Sequence, residues 1–286
     1  MKILITGASG FLGRHITKRL QHEHDIVSWD RKNGDLIEQY NFPKVDCVIH
    51  LAAMVTTSDY YTKTFDVIRN NIIPTLNLLT FYRQQKHKPL FIYAGTPEVY
   101  SGATDLFNYK IPTDENAPFV IADPRNPRWS YAGSKGLGEQ ALIASGLDYI
   151  IIRPHNVYGP GQVGHFVNEF IERAKQKDYT VKGSNNTRSW LYIDDFCDAF
   201  IKLITCKEAI GETINIGNSY ETPVIDLAKI ILQKMNINEQ PIALEAPEGS
   251  ANRRQADTSK IKKLINWEPV ITLEQGLQLT VENLCK

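Results

Sequence analysis

The first thirty residues constrain the fold more than any other part of the chain. Residues 2–6, KILIT, form a short apolar run with β-branched side chains, as expected of a parallel strand that is buried on both faces. A G-x-x-G-x-x-G motif follows at residues 7–13 and leads into a segment whose apolar residues recur at helical spacing. A second strand pattern, DIVSWD, covers residues 25–30. The three patterns together predict a β-α-β unit.

The glycine motif has a specific use at this place in such a unit. Glycines let the chain turn tightly, let a pyrophosphate approach the backbone and let the helix pack on the sheet, while free amides at the helix N-terminus bind phosphates. Asp30 ends the second strand, at about the separation at which an acidic side chain binds the adenosine ribose. The residues that we predict to bind a dinucleotide here are Gly7, Ser9, Gly10, Phe11, Leu12, Gly13, Asp30, Arg31, Asp35 and Leu36.

Asp30 also bears on which dinucleotide binds. A carboxylate accepts hydrogen bonds from a free ribose 2′-hydroxyl but repels a 2′-phosphate, so Asp30 favours NAD over NADP. Arg31 follows directly and could weaken that preference, although an arginine at a strand end is more often simply solvated.

Strands and helices continue to alternate after this unit. DCVIHLAA at 46–53 and PLFIYAGT at 89–96 read as strands, and residues 70–85 as an apolar helix with Pro74 near its first turn. The prolines within 101–130 predict an irregular but ordered loop. We therefore predict an α/β fold with a Rossmann-like, doubly wound parallel sheet.

The pattern changes near residue 161, where irregular segments and amphipathic helices begin. We expect residues 1–160 to form the dinucleotide-binding domain with the catalytic residues, and 161–286 to form mainly a smaller mixed α/β substrate lobe, with some crossing of the chain between them. The helices predicted in this lobe lie at 165–176, 193–204, 224–235 and 273–284.

Composition excludes several classes of protein. The 286 residues are 42% hydrophobic and 22% charged, as in ordinary globular proteins, so we expect neither disorder nor membrane insertion. Thirty-two basic residues balance thirty-two acidic ones, leaving no overall field for nucleic acid or an anionic bilayer. The apolar run at the N-terminus is too short for a signal peptide or a spanning helix, which predicts a cytoplasmic protein.

The cysteines predict neither a disulfide framework nor a metal site. Cys47, Cys197, Cys206 and Cys285 are widely separated and show no C-x-x-C pairing. We expect them to be small buried apolar residues in a reducing compartment.

The segment RWSYAGSKGLGEQ, residues 128–140, places Tyr131 four positions before Lys135 at the predicted start of a helix. At this spacing the side chains share one face, so an ammonium could sit beside a phenol and favour its ionised form. The same spacing also occurs by chance in surface helices, so the pair needs its context.

Several motifs elsewhere in the chain resemble those of a known family. In order along the chain, the glycine motif, HLAA (50–53), GTPEVY (95–100), YAGSK (131–135) and RPHNVYGP (153–160) resemble motifs of the extended short-chain dehydrogenases/reductases, the group of nucleotide-sugar epimerases and dehydratases. The similarity covers nearly the whole chain. It continues in the C-terminal segments TRSWLYIDD, INIGN and RQADTSKIKKLINWEP.

The resemblance implies an NAD-dependent enzyme with roles for particular residues. Tyr131 would act as general base on a sugar hydroxyl, Lys135 would hold the nicotinamide ribose, and Thr96 would bond the reacting sugar oxygen and relay its proton. A tyrosine ordinarily ionises near pKa ~10, so the phenolate needs positive charge nearby. Further residues placed at the cofactor are Leu51, Ala52, Ala53, Asn71, Pro154, His155 and Val157.

The implied substrate is a nucleotide-diphosphate sugar. Arg188 and Arg254 stand where the family places arginines that bind the phosphates, and Arg253 could substitute for its neighbour. Asn156 resembles the residue that hydrogen-bonds substrate phosphate or sugar, and Thr96, Pro97 and Glu98 would line the sugar site. The family also implies a homodimer through helices at about 70–85 and 131–145.

The reaction is less constrained than the family. Removal of a proton at the C4 hydroxyl and of the C4 hydride gives a 4-keto sugar, from which epimerases, dehydratases and decarboxylases diverge. Thr96 is followed by Pro97 where dTDP-glucose dehydratases carry an acidic aspartate, whereas Glu98 is retained and also resembles decarboxylases. We therefore rank a 4-epimerase first, a 4,6-dehydratase or decarboxylase using Glu98 second, a keto-sugar reductase third, and a non-catalytic dinucleotide sensor last.

Overall fold

A computed structural model describes residues 1–246 and 250–285. Within them, a parallel sheet forms the centre of the fold. Its strands are β1 (Lys2–Thr6), β2 (Asp25–Trp29), β3 (Cys47–His50), β4 (Leu90–Ala94), β5 (Tyr149–Pro154) and β10 (Glu212–Ile216). Their order across the sheet is β10-β5-β4-β3-β1-β2, and every pairing is parallel. This order confirms the predicted Rossmann-like, doubly wound sheet.

The helices cover both faces of this sheet and build the rest of the molecule. In chain order they are α1 (Phe11–Leu20), α2 (Thr57–Thr62), α3 (Thr64–Arg83), α4 (Ser101–Phe107), α5 (Trp129–Ala144), α6 (Phe166–Lys175), α7 (Ile193–Thr205), α8 (Val224–Lys234), α9 (Ser259–Ile265) and α10 (Leu273–Leu284). The short outer strands are β6 (Val157–Tyr158), β7 (Thr180–Lys182), β8 (Thr187–Ser189), β9 (Leu191–Tyr192), β11 (Glu221–Pro223), β12 (Ile242–Leu244) and β13 (Arg253–Arg254).

The apolar first strand is explained by burial on both faces. Leu4 packs into the core beneath α3 and α5, whereas Ile3 and Ile5 pack into the larger core on the opposite face. All three side chains are fully buried. A polar residue at any of these three positions would bury a polar group in one core or the other.

The second half of the chain contributes to both parts of the molecule. The four helices predicted there correspond to α6, α7, α8 and α10, with ends that agree within one residue. Strand β10 lies beyond residue 160 but pairs with β5 in the central sheet. The division into domains at residue 160 stays a prediction. Among the described residues, no helix combines the length and apolar character needed to cross a membrane.

Two local predictions were wrong. Helix α3 begins at Thr64, so Pro74 lies in its interior rather than near its first turn. The helix accommodates a residue that lacks an amide hydrogen, and Pro74 and Thr75 are both buried there. The predicted irregular loop also begins with a helix, since α4 occupies Ser101–Phe107.

The cysteine prediction holds for two of the four residues. Cys47 and Cys197 are buried, and burial raises the pKa of each thiol to about 12. Cys206 is only partly buried and Cys285 is exposed, so the prediction of burial was wrong for these two. All four are free thiols.

Candidate active site

One cleft of about 1240 Å³ opens at the carboxyl ends of the central strands. In a doubly wound sheet this is the edge at which ligands bind, where the strand order reverses between β1 and β3. The glycine turn after β1, the segment after β4, the start of α5 and Arg188 and Arg254 of the second half all line this cleft. It is therefore continuous from the predicted cofactor site to the predicted substrate site.

The glycine turn depends on two positions where a side chain cannot be placed. Gly7 has a left-handed φ of +70°, and a Cβ there would lie 2.8 Å from the backbone nitrogen of Ala52. A Cβ at Gly13 would collide with the backbone of Gly7 and Ala8. The backbone is thus bare where α1 begins, which fits the approach of a dinucleotide pyrophosphate to the helix N-terminus.

Asp30 ties the end of β2 to this turn. Its Oδ1 accepts hydrogen bonds from the backbone nitrogen of Ser9 at 3.0 Å and from the Ser9 hydroxyl at 2.9 Å. Asp30 and its neighbour Arg31 both line the cleft. A carboxylate is therefore held beside the glycine turn, where it fits the ribose of NAD.

The Tyr131–Lys135 pair lies in the first turns of α5, as predicted, and both residues line the cleft. The Lys135 ammonium donates a hydrogen bond to the carbonyl of Ala94 at 2.8 Å and lies 4.8 Å from the centre of the Tyr93 ring. Burial lowers the pKa of Lys135 to about 8, against an ordinary value of 10.5.

We predicted that Lys135 would lower the pKa of the Tyr131 phenol, but in the structure this pKa is raised. Burial raises the pKa of Tyr131 above its ordinary value of 10, and the Thr96 hydroxyl beside it only partly opposes this shift. The ammonium of Lys135 is directed at the Ala94 carbonyl, at the end of β4. Desolvation therefore sets the direction of the pKa shift of Tyr131, and the negative charge of Glu98 adds to it.

Thr96 stands where β4 gives way to a short 3₁₀ helix, Pro97–Tyr100. Its hydroxyl accepts a hydrogen bond from the backbone nitrogen of Glu98 at 3.3 Å, so it caps that helix. Thr96 is buried and lines the cleft together with Tyr131. The fold thus brings a hydroxyl and a phenol together from distant parts of the chain.

Glu98 is held as a carboxylate by two arginines. Its Oε2 accepts hydrogen bonds from Arg254 at 2.6 Å and from Arg128 at 3.3 Å, and its Oε1 also pairs with Arg254. Burial acts to raise the pKa of Glu98, but the positive charges of Arg254, Arg128 and Arg188 outweigh it and bring the pKa below its ordinary value. Glu98 is therefore ionised in this site.

Arg188 lies beside this cluster with a different set of partners. Its guanidinium donates to the backbone carbonyls of Thr187 at 2.7 Å and Ala251 at 2.8 Å. Burial lowers the pKa of Arg188 to about 9, and repulsion from Arg254 adds to this effect. Positive charge in this part of the cleft is thus incompletely balanced by the neighbouring side chains.

Most of the predicted site residues are brought together by the fold. Those that line the cleft are Gly7, Ser9, Gly10, Phe11, Leu12, Gly13, Asp30, Arg31, Asp35, Leu36, Leu51, Ala52, Ala53, Thr96, Pro97, Glu98, Tyr131, Lys135, Pro154, Asn156, Val157, Arg188 and Arg254. Their roles stay predictions.

Three predicted residues lie away from the cleft wall. Asn71 is buried, where it accepts a hydrogen bond from the backbone of Met54 at 2.7 Å and donates one to the Ser134 hydroxyl at 3.1 Å. The ring of His155 is buried beside Asn215. Arg253, the predicted substitute for its neighbour, pairs with Glu221. Arg253 is thus held by an ion pair outside the cleft, whereas the His155 ring is paired through Nε2 alone and its buried Nδ1 has no hydrogen-bond partner among the described residues.

Two further residues of the cleft escaped the sequence analysis. Arg128 precedes Tyr131 by three positions, one helical turn, which is a signal that could have found it. Tyr60 of α2 stacks on Tyr131 with ring centres 4.8 Å apart and planes inclined by 10°. No spacing in the sequence connects those two aromatic residues.

A bare glycine turn, an acidic residue at the end of the second strand and a buried tyrosine–lysine pair together define a dinucleotide-dependent α/β enzyme. The chain belongs to the NAD-dependent epimerase/dehydratase family, whose model matches residues 3–217, and is therefore an NAD-dependent enzyme of this type.

Named relatives of the chain span more than one reaction. A putative UDP-glucose 4-epimerase of Methanocaldococcus jannaschii is 28% identical over 98% of this chain and 97% of the relative. UDP-glucuronic acid decarboxylase 1 of Xenopus tropicalis is 27% identical over 98% of this chain and 71% of the relative. A solved UDP-glucose 4-epimerase of Thermotoga maritima is 26% identical, covers 99% of this chain and 98% of its own, and superposes with a TM-score of 0.86.

Proposed function

We propose that the chain is a nucleotide-sugar 4-epimerase that works through a transient 4-keto sugar. The observation that carries the proposal is the single cleft in which Tyr131, Thr96 and Lys135 adjoin the glycine turn. The named relatives include two 4-epimerases, one similar in sequence and one in fold, beside a decarboxylase.

In the proposed reaction, a side chain of the protein accepts the proton of the sugar hydroxyl. Tyr131 removes the proton of the sugar hydroxyl, and Thr96 bonds the same oxygen. NAD, which the glycine turn and Asp30 would hold, would supply a reversible acceptor for the sugar's hydride. Because burial raises the pKa of Tyr131, its phenolate needs additional positive charge from Lys135 when cofactor and substrate are bound.

The arginine cluster supports a nucleotide diphosphate as the rest of the substrate. Three guanidinium groups, those of Arg128, Arg188 and Arg254, surround the carboxylate of Glu98, and the Asp105 carboxylate belongs to the same charge cluster, so positive charges outnumber negative ones. A diphosphate linking two esters carries two negative charges and accepts forked hydrogen bonds from arginine. For Arg254 to bind a phosphate it must exchange at least part of its contact with Glu98.

The state of Glu98 separates epimerisation from dehydration. Elimination of water needs a group that protonates the leaving hydroxyl, and Pro97 stands where the dTDP-glucose dehydratases carry their acid. Glu98 is ionised by its arginine partners and so is a poor proton donor. A decarboxylase is the second candidate, because an ionised Glu98 is compatible with loss of a carboxyl group and a decarboxylase is among the named relatives.

The test is incubation of the purified protein with UDP-, GDP-, CDP- and dTDP-sugars, followed by NMR of the products. A 4-epimerase gives a product of unchanged mass with changed ring couplings at C4. Loss of carbon dioxide contradicts epimerisation and supports the second candidate, and loss of water contradicts both.

The same proposal includes a homodimer in the cytoplasm. Helices α3 and α5 pack side by side and expose apolar side chains, among them Phe65, Leu76, Leu137 and Ile143. Such a face fits a second copy of the same face, as in a two-fold dimer. Sedimentation should show a dimer that Leu137→Arg converts to monomers, whereas Val270→Arg, at an exposed apolar residue outside both helices, leaves the dimer intact.

A further inference from the structure

The ring of Tyr60 lies flat against the ring of Tyr131. Their centres are 4.8 Å apart and their planes are inclined by 10°, which is the geometry of an offset aromatic stack. Tyr60 is 7% exposed and also lines the cleft. The residue proposed to take the substrate proton therefore has an aromatic wall on one face.

Tyr60 is itself held firmly, and by contacts that leave its ring face free for Tyr131. Its hydroxyl donates a hydrogen bond to the carbonyl of Val55 at 2.7 Å, and its own carbonyl accepts one from the Thr64 hydroxyl at 2.8 Å. Burial raises the pKa of Tyr60 above its ordinary value, so the hydroxyl remains a protonated donor to Val55. The ring is thus fixed at its hydroxyl end and at its backbone.

We propose that Tyr60 is a positioning residue for the catalytic phenol of Tyr131, and this rests on the function proposed for Tyr131. A proton can pass only when the phenol oxygen lies within hydrogen-bond reach of the sugar hydroxyl and of Thr96. A fixed ring on one face prevents the Tyr131 ring from turning out of that plane. Small misplacements of a catalytic group lower the rate of the chemical step strongly, so the Tyr60 ring should affect kcat more than it affects substrate binding.

The stack has a second effect, on ionisation. The face of an aromatic ring is electron-rich, so it repels the negative charge of a phenolate stacked against it. Tyr60 therefore acts in the same direction as burial, which raises the pKa of Tyr131. Removing the ring should lower the pKa of Tyr131 while loosening its position, a combination that a purely structural residue would not produce.

The experiment compares Tyr60→Leu, which removes the ring, with Tyr60→Phe, which keeps the ring and loses the bond to Val55. Tyr40→Leu, at an exposed tyrosine, is the matched control. The NAD-loaded enzymes are assayed with a sugar that the wild type converts. We expect kcat of Tyr60→Leu to fall about tenfold, which is the rate factor that corresponds to the interaction energy of one aromatic pair. KM should stay within about twofold, and Tyr60→Phe, which keeps the ring but loses one of the contacts that hold it, should lose clearly less of kcat than Tyr60→Leu.

Tyrosine labelled with ¹³C at the ring carbon that bears the hydroxyl gives a readout that does not depend on activity. The Tyr131 resonance, assigned with Tyr131→Phe, should titrate at lower pH in Tyr60→Leu than in the wild type. If Tyr60→Leu does not fold, Tyr60→Met fills the same space without a ring.

An unchanged kcat of Tyr60→Leu, an equally large fall in Tyr60→Phe, or an unchanged pKa of Tyr131 would overturn the proposal. Absence of conversion of every sugar by the wild type contradicts the proposed function instead, and the NMR titration then decides on Tyr60 alone.

Discussion

Replacing Asp30 by alanine should weaken NAD binding and reduce the preference for NAD over NADP. Asp30 Oδ1 already accepts two hydrogen bonds from Ser9, which fix the carboxylate beside the glycine turn. A hydrogen bond from a ribose hydroxyl to this carboxylate is worth about 1.5–3 kcal/mol, or about 10- to 150-fold in Kd. The substitution also frees Ser9, which adds to the loss.

The effect on NADP has the opposite sign. A 2′-phosphate is repelled by the carboxylate, so alanine removes the repulsion while Arg31 remains beside the site. We expect the Kd for NADP to fall or stay unchanged while that for NAD rises.

Isothermal titration of the cofactor-free protein with each dinucleotide measures both constants. Asp25→Ala is the matched control, because Asp25 is exposed at the opposite end of the same strand. A Kd for NAD that changes less than about twofold in Asp30→Ala is below the loss of even a weak hydrogen bond and would show that Asp30 does not bind the ribose.

Two further predictions concern buried charges. Glu139→Gln leaves Arg153 without its carboxylate partner in a pair whose side chains are 8% and 9% exposed, so the free energy of unfolding in urea should fall by about 3–5 kcal/mol, and a fall below about 1 kcal/mol contradicts this. The pKa of Lys135 is about 8 in the folded protein, whereas its ordinary value, which applies to the unfolded chain, is 10.5. Between these two pH values the unfolded chain binds more protons than the folded protein, so the free energy of unfolding rises with pH. Relative to Lys135→Met, the wild type should therefore gain about 3 kcal/mol from pH 8 to 10.5, and a gain that is absent or of opposite sign refutes the assignment.

Sequence patterns predicted the parts of the fold that repeat a local rule. The run of Ile3, Leu4 and Ile5 identifies a central strand because each side chain enters one of two cores. The glycine motif and Asp30 identify the dinucleotide site because the backbone at Gly7 and Gly13 admits no side chain. These features depend on residues that are close in the chain.

The contacts that define the catalytic end of the cleft depend on residues far apart. Glu98 meets Arg128 and Arg254, which lie 30 and 156 positions later in the chain. Tyr60 and Tyr131 come from helices α2 and α5, which are separated in sequence by strand β4 and helices α3 and α4. Only the folded sheet brings such side chains together, so local spacing could not predict them.

Burial also changed a prediction about chemistry. The spacing of Tyr131 and Lys135 predicted that the ammonium would make the phenol more acidic. In the fold both groups are desolvated, which raises the pKa of Tyr131 and lowers that of Lys135. Sequence spacing places two groups on one face of a helix but does not report how much water surrounds them.

The proposed mechanism requires that the phenol of Tyr131 takes the proton from a sugar hydroxyl. The most direct measurement is the single-turnover rate at which nicotinamide absorbance changes when substrate meets the NAD-loaded protein, in Tyr131→Phe and in Tyr149→Phe, a tyrosine at the start of β5. We expect a loss of about 100-fold or more for Tyr131→Phe, the usual contribution of general base catalysis, with unchanged NAD affinity and a normal rate for Tyr149→Phe. A Tyr131→Phe protein that reacts at the wild-type rate would contradict it.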